Sequence, residues 1–226
     1  MYSNEETAKS APRILGAMFL IVIVISLVSG VVLSLSGSIS DILVKISDNL
    51  TLMRISILFG LLNSLGIVAL ASLLYTVLNQ QNRIIALVAL GLWLSEAIFY
   101  AISQIGAFAL IPLSQDFVKA GTPEHSFYQT LGDFLYFGVD KQAVTIHMWF
   151  YCLGGILWYF LFYKSKFIPS AISLFGLIAA SLGLVGVVCE FLGAEVPIFV
   201  YLPLLPFELT IGLWLMLRGI KDSSKI

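Results

Sequence analysis

Six stretches, each apolar over about twenty residues or more, constrain this chain more than any other feature. They run over 14–35, 55–78, 84–112, 142–163, 170–192 and 198–217. A helix of about 20 apolar residues crosses roughly 30 Å of hydrocarbon. Lipid offers no partner to backbone N–H and C=O groups, so a spanning segment must satisfy them itself, as a helix does. With 59% hydrophobic and 11% charged residues, the chain is richer in apolar and poorer in charged residues than soluble domains. The reading is an all-α polytopic membrane bundle of six transmembrane helices. One transmembrane domain fills 14–217, between tails at 1–13 and 218–226. The first stretch is too long for a signal-peptide core and lacks a closing small-x-small cleavage pattern, so it reads as the first span.

Short connections at 79–83, 164–169 and 193–196 imply tight helical hairpins. Basic residues orient them. With the N-terminus inside, Lys9, Arg13, Arg83, Lys164, Lys166, Arg218, Lys221 and Lys225 are inner, and Lys45, Arg54, Lys119 and Lys141 are outer. The split of eight to four predicts a multi-pass protein of the cell membrane with both termini cytoplasmic. The net charge of −1 argues against a nucleic-acid partner. Cys152 and Cys189 lie within apolar spans, where thiols serve as small apolar side chains.

The two long outer connections carry helical patterns of their own. Ile39, Ile42, Leu43, Ile46, Leu50 and Met53 recur at helical spacing, with Ser40 or Asp41 as cap. In the second, Thr122-Pro123-Glu124 reads as a cap followed by proline at the first helical position. Phe127, Leu131, Phe134 and Leu135 then share a face. Both are expected as amphipathic interfacial helices, lying at the outer interface or folded over the bundle as a lid.

A resemblance runs through nearly the whole chain. Ala11-Pro12-Arg13-Ile14-Leu15-Gly16, Arg54 opening the second span, Glu96 in the third, Lys164-Ser165-Lys166-Phe167-Ile168-Pro169, and Glu208 with Trp214, Leu215 and Gly219 occur in the order of a bacterial multi-pass membrane family. That family is catalogued as domain of unknown function 4386. The chain departs from its pattern at Pro12, and at Leu94, where a basic residue is expected. The resemblance implies a six-helix bacterial membrane protein and no particular activity.

Glu96 and Glu208 stand deep in the third and sixth stretches, and no Lys or Arg lies inside any stretch. An ionisable residue in hydrocarbon is expensive and is read by default as functional. Burial without a cation favours the neutral acid, which donates a hydrogen bond or takes up a proton, cation or amine on demand. The plain alternative is a carboxyl group that only packs against a neighbouring helix. Insertion costs about 2.5–3.5 kcal/mol for a central charge, which spans this apolar tolerate.

At about 1.5 Å rise per residue, Asn63, Glu96, Tyr151 and Glu208 fall roughly 12–13 Å below the outer ends. Glu96, Tyr100 and Gln104 share one helix face, as do His147, Tyr151, Gly154 and Trp158. The expected ligand-binding set is therefore Glu96, Glu208, Asn63, Tyr100, Gln104, Tyr151 and His147, beneath an outer mouth formed by Arg54, Lys141 and Glu190. Pro203 and Pro206 are placed to break the sixth helix near Glu208.

Paired-aspartate proteolysis is excluded because no Asp lies inside a span. No Gly-rich nucleophile motif accompanies His147, and two histidines are few for a zinc site. No phosphate-binding loop occurs. No cofactor or metal is expected. Three classes stay open. The first binds or transports a proton, cation or small amphipathic molecule at the glutamates. The second is a membrane sensor or interaction protein, whose Gly60/Ser64 and Gly154/Gly155 faces pack a protein partner or a second copy. The third is an intramembrane enzyme acting on lipid. The bilayer is the common partner of all three.

Overall fold

The computed structural model describes residues 2–33 and 35–220. Lys221 and Lys225 of the expected inner tail lie outside the described residues. The helices are α1 (Tyr2–Val32), α2 (Ile39–Asp48), α3 (Leu50–Leu78), α4 (Arg83–Lys119), α5 (Phe127–Asp133), α6 (Gln142–Ser165), α7 (Ser170–Phe191) and α8 (Leu204–Arg218). A π-helical stretch, Phe134–Lys141, joins α5 to α6, and a 3₁₀ turn, Ile198–Val200, precedes α8. Six segments are long and apolar enough to cross a membrane, and the architecture is all-α among the described residues. Large apolar side chains exposed along them, such as Leu65, Ile105 and Val185, form the surface that hydrocarbon covers.

Helix boundaries depart from the sequence reading where local chemistry competes. The expected caps of the first connection were Ser40 or Asp41, yet Ser38 caps α2. Gly37, at φ +106°, turns the chain, and Ser38 and Asp41 then close a capping box. Asp41 Oδ2 accepts the Ser38 N–H at 3.0 Å and the Ser38 hydroxyl at 2.6 Å. In the second connection Thr122 is not the cap. Thr122 and His125 both take positive φ, and α5 starts only after Ser126, whose N–H donates to Gln129 Oε1 at 3.0 Å. α4 runs on through Pro112 to Lys119. Burial of Leu110, Ile111, Leu113 and Phe117 outweighs the roughly 3 kcal/mol that an interior proline costs.

The chain forms two compact units. One comprises residues 24–64 and 97–147, and the other 1–23, 65–96 and 148–226.

In the first unit the amphipathic connections become core. Ile39, Ile42, Leu43 and Ile46 of α2 are buried in one cluster with Met53, Ile57, Leu110, Phe117 and Tyr136. α5 rests on α2 at Gly132, where a Cβ would meet Ile39 at 2.9 Å. Gln129 Nε2 donates to Ser40 Oγ at 2.6 Å across the same contact. The expected apolar face of α5 divides. Leu131 and Leu135 pack on the cluster, whereas Phe127 and Phe134 are 73% and 62% exposed. From Phe134 onward the helix is π-helical, so 3.6-residue spacing no longer applies beyond that point; Phe127 lies before it, in the first turn of α5.

In the second unit α1 crosses α8 at glycines. A Cβ on Gly16 would meet the Gly212 carbonyl oxygen at 2.6 Å, and one on Gly212 would meet Leu20 at 2.9 Å. Such small-residue crossings bring helix backbones together where lipid supplies no hydrophobic drive. Beyond the end of α7 the chain turns at Gly193, φ +86°, with Ala194 N–H donating to the Cys189 carbonyl at 2.9 Å and Gly193 N–H to that of Glu190 at 2.9 Å. Glycine in the left-handed region is what this helix ending requires. The following connection is longer than the expected four-residue turn, because the chain reaches Leu204 before α8 begins.

Candidate functional site

Glu208 lies in the second turn of α8, just after Pro206. Proline fits a helix's first turn, where backbone N–H groups lack intrahelical acceptors anyway. The expected break of the sixth span is real, and it falls at Ile198–Pro203, before α8, leaving Glu208 in regular helix. Tyr151, on α6, donates its hydroxyl to Glu208 Oε1 at 2.7 Å. Both residues are part-buried, and Glu96 on α4 is buried at 4% exposure in the same unit. Glu96 and Glu208 lie close enough to influence each other electrostatically.

Aromatic rings pack around Tyr151, the hydrogen-bond partner of Glu208. Trp93 stands one turn before Glu96, stacks on Tyr151 with centroids 5.9 Å apart, and donates its Nε1–H to the Tyr151 carbonyl at 3.1 Å. Trp158 meets Trp93 edge-on at 6.3 Å, and Tyr159 meets Phe207 at 4.4 Å. The glycines of α6 make room. Trp93 presses on Gly154, where a Cβ would lie 2.8 Å from its Nε1, and the Tyr159 ring lies against Gly155. Gly154/Gly155, which the sensor alternative would use to pack a partner, lie against the chain's own Trp93 and Tyr159. Trp158 Nε1 and Ser173 Oγ are buried without a hydrogen-bond partner among the described residues. Tyr159 Oη comes near Tyr151 without completing a hydrogen bond.

The remaining expected residues belong to the other unit. Asn63 is buried on α3. Gln104 donates to Ser103 Oγ at 2.9 Å and lies against Gly60, so that glycine too serves an internal contact. Tyr100 and His147 meet edge-to-face at 5.0 Å. Of the expected mouth, Arg54 is exposed on α3 and Lys141 sits 5.1 Å from the Tyr136 ring centroid, both in this unit. Glu190 is in the carboxyl-bearing unit, where Tyr201 donates to its Oε1 at 2.7 Å. The structure joins Glu208 to Tyr151 directly, with Glu96 nearby.

Sequence reasoning missed Trp93, Tyr159 and Phe207. Each had a signal: Trp93 is three residues before Glu96, Tyr159 eight after Tyr151, and Phe207 next to Glu208. Aromatics are so common in this chain, however, that spacing alone does not single them out. Among the described residues no group of three or more His, Cys, Asp or Glu side chains is arranged to hold a metal ion.

A family model described as Domain of unknown function (DUF4386) matches residues 14–219. Neither the curated proteins nor the solved structures give a match.

Proposed function

The chain belongs to the DUF4386 family, and from that premise we propose that it binds a proton or a cationic ligand at Glu96 and Glu208 and exchanges one for the other. The observation that carries this reading is the Tyr151–Glu208 hydrogen bond, 2.7 Å long, with a second buried carboxyl group in the same unit. Two carboxyl groups set in apolar segments whose sequences contain no Lys or Arg form a place that favours positive charge. A neutral pair holds protons. An arriving cation takes their place, and Tyr151 steadies Glu208 in either condition. In this reading the termini are cytoplasmic, as eight of twelve basic residues on the inner side favour.

The test is a thermal-stability screen of the purified protein against pH, inorganic cations and amines, with Glu96→Gln and Glu208→Gln alongside. The expected result is a stabilising response in wild type that each variant weakens. Vesicle flux measurements then separate transport from binding alone. If both variants keep wild-type stability and every response, the carboxyl groups are structural and the proposal fails.

A further inference from the structure

Trp93 ties α4 to the backbone of α6, one turn from Glu96. Its Nε1–H donates to the Tyr151 carbonyl at 3.1 Å, and its ring stacks on that of Tyr151 at an interplanar angle of 8°. An acceptor in the main chain of a helix does not swing aside as a side chain does, so the bond fixes one helix against the other. Gly154 leaves the space for this approach, since a Cβ there would lie 2.8 Å from Nε1 and 3.3 Å from Leu92 Cβ. Trp158 abuts the same indole edge-on at 6.3 Å, and Trp93 is buried.

Glu96, three residues after Trp93, lies on the same side of α4. It is near enough to Cys152 on α6 and to Glu208 on α8 to interact electrostatically with both. Glu208 in turn accepts from the Tyr151 hydroxyl at 2.7 Å. Tyr151 therefore takes part twice, with its carbonyl toward α4 and its hydroxyl toward α8.

Resting on the function proposed above, we infer that Trp93 is a positioning residue. It holds Glu96 at a set distance from Glu208, so that the two carboxyl groups answer to a proton or cation as a pair. Trp93 needs no contact with the ligand to do this. Coulomb energy falls as charges separate, so slack between α4 and α6 weakens the influence of one carboxyl group on the other. The further titratable groups that reach the pair are Tyr151, Tyr159 and Cys152, all on α6. α7 bears Cys189 and Glu190 only in its last turn, and Arg13, Arg83, Lys164 and Arg218 are exposed.

The test titrates Glu96 in the purified full chain through the infrared carbonyl band of its protonated form, assigned with Glu96→Gln. The coupling is the change in its titration midpoint when Glu208→Gln is introduced. In the wild-type background that change is expected to be about one pH unit or more, the strength at which two sites titrate as a pair. Trp93→Phe keeps a ring to stack and removes the N–H, and should cut the coupling to about half or less. Gly154→Ala displaces the indole from the other side of the contact and should act alike, which covers the case of one variant failing to fold. Trp158→Phe is the control, because its Nε1 has no hydrogen-bond partner among the described residues to lose, and it should leave the coupling intact. Coupling unchanged by Trp93→Phe and Gly154→Ala overturns the inference and leaves the proposed function standing. An equal loss in Trp158→Phe assigns the effect to general loosening and overturns it as well. No coupling in the wild-type background removes both, since carboxyl groups that ignore each other do not exchange protons for a shared cation.

Discussion

Tyr151 and Glu208 meet at 2.7 Å, and the cost of separating them is measurable. Tyr151→Phe keeps the ring that stacks on Trp93 and removes only the hydroxyl, so denaturant unfolding in detergent should show a loss of about 1–2 kcal/mol. A loss below about 0.5 kcal/mol would mean that the bond is incidental to folding. Gly16 gives a different kind of test, because its neighbours are backbone atoms of α8 and cannot swing aside. Gly16→Val should push α1 from α8 at a cost of about 1–3 kcal/mol, whereas Gly30→Val, with open space around it, should leave stability within about 0.5 kcal/mol. At this scale the sequence was informative about Glu96, Glu208 and Tyr151. Carboxyl groups are rare in apolar spans, and helical rise alone brings residues to a common depth. It said nothing of Trp93 or Tyr159, and met Gly16 only within a motif and not as a helix crossing, since aromatic and small residues are frequent in such helices and only tertiary contact distinguishes the few that matter.

Helices α2 and α5 show where element-level periodicity succeeds and where it stops. The apolar spacing of α2 marked Ile39, Ile42, Leu43 and Ile46 correctly as one face, and all four are buried. The same reasoning put Phe127 and Phe134 on a face with Leu131, yet both phenylalanines are exposed; Phe127 opens α5 at its free end, and Phe134 opens the π-helical stretch. The cap of α2 adds a pH signature. Hydrogen bonds from the Ser38 hydroxyl and N–H hold the Asp41 carboxyl below its ordinary value of 3.8. A lowered carboxyl pKa contributes stability that is fully present above the unfolded value and lost as pH falls through the folded one. Melting temperatures of wild type and Asp41→Asn should therefore differ by a constant amount above about pH 5 and converge as pH drops below the normal carboxylate range. A gap that persists undiminished at low pH would show that the carboxylate does not supply the cap.

For the whole molecule, six of the described segments are long and apolar enough to span a membrane, and six crossings, an even number, would bring residues 14 and 217 to the same side. The six segments were legible because hydrocarbon thickness imposes a length that sequence displays directly. The partition into two compact units was not, because it depends on which faces of continuous helices meet. The orientation expected from twelve basic residues has a direct test. With Cys152 and Cys189 replaced by alanine, single cysteines at Glu124 and Lys164 sample the two ends of the segment that contains α6. A membrane-impermeant maleimide should label Glu124→Cys in intact cells and Lys164→Cys only after permeabilisation, since Lys164 and Lys166 belong with the inner basic set. Glu124 and Lys164 are both exposed, so access and not burial decides the outcome. The reverse labelling pattern would invert the protein in the membrane. The carboxyl pair would keep its chemistry, while a cation would have to reach it from the opposite compartment.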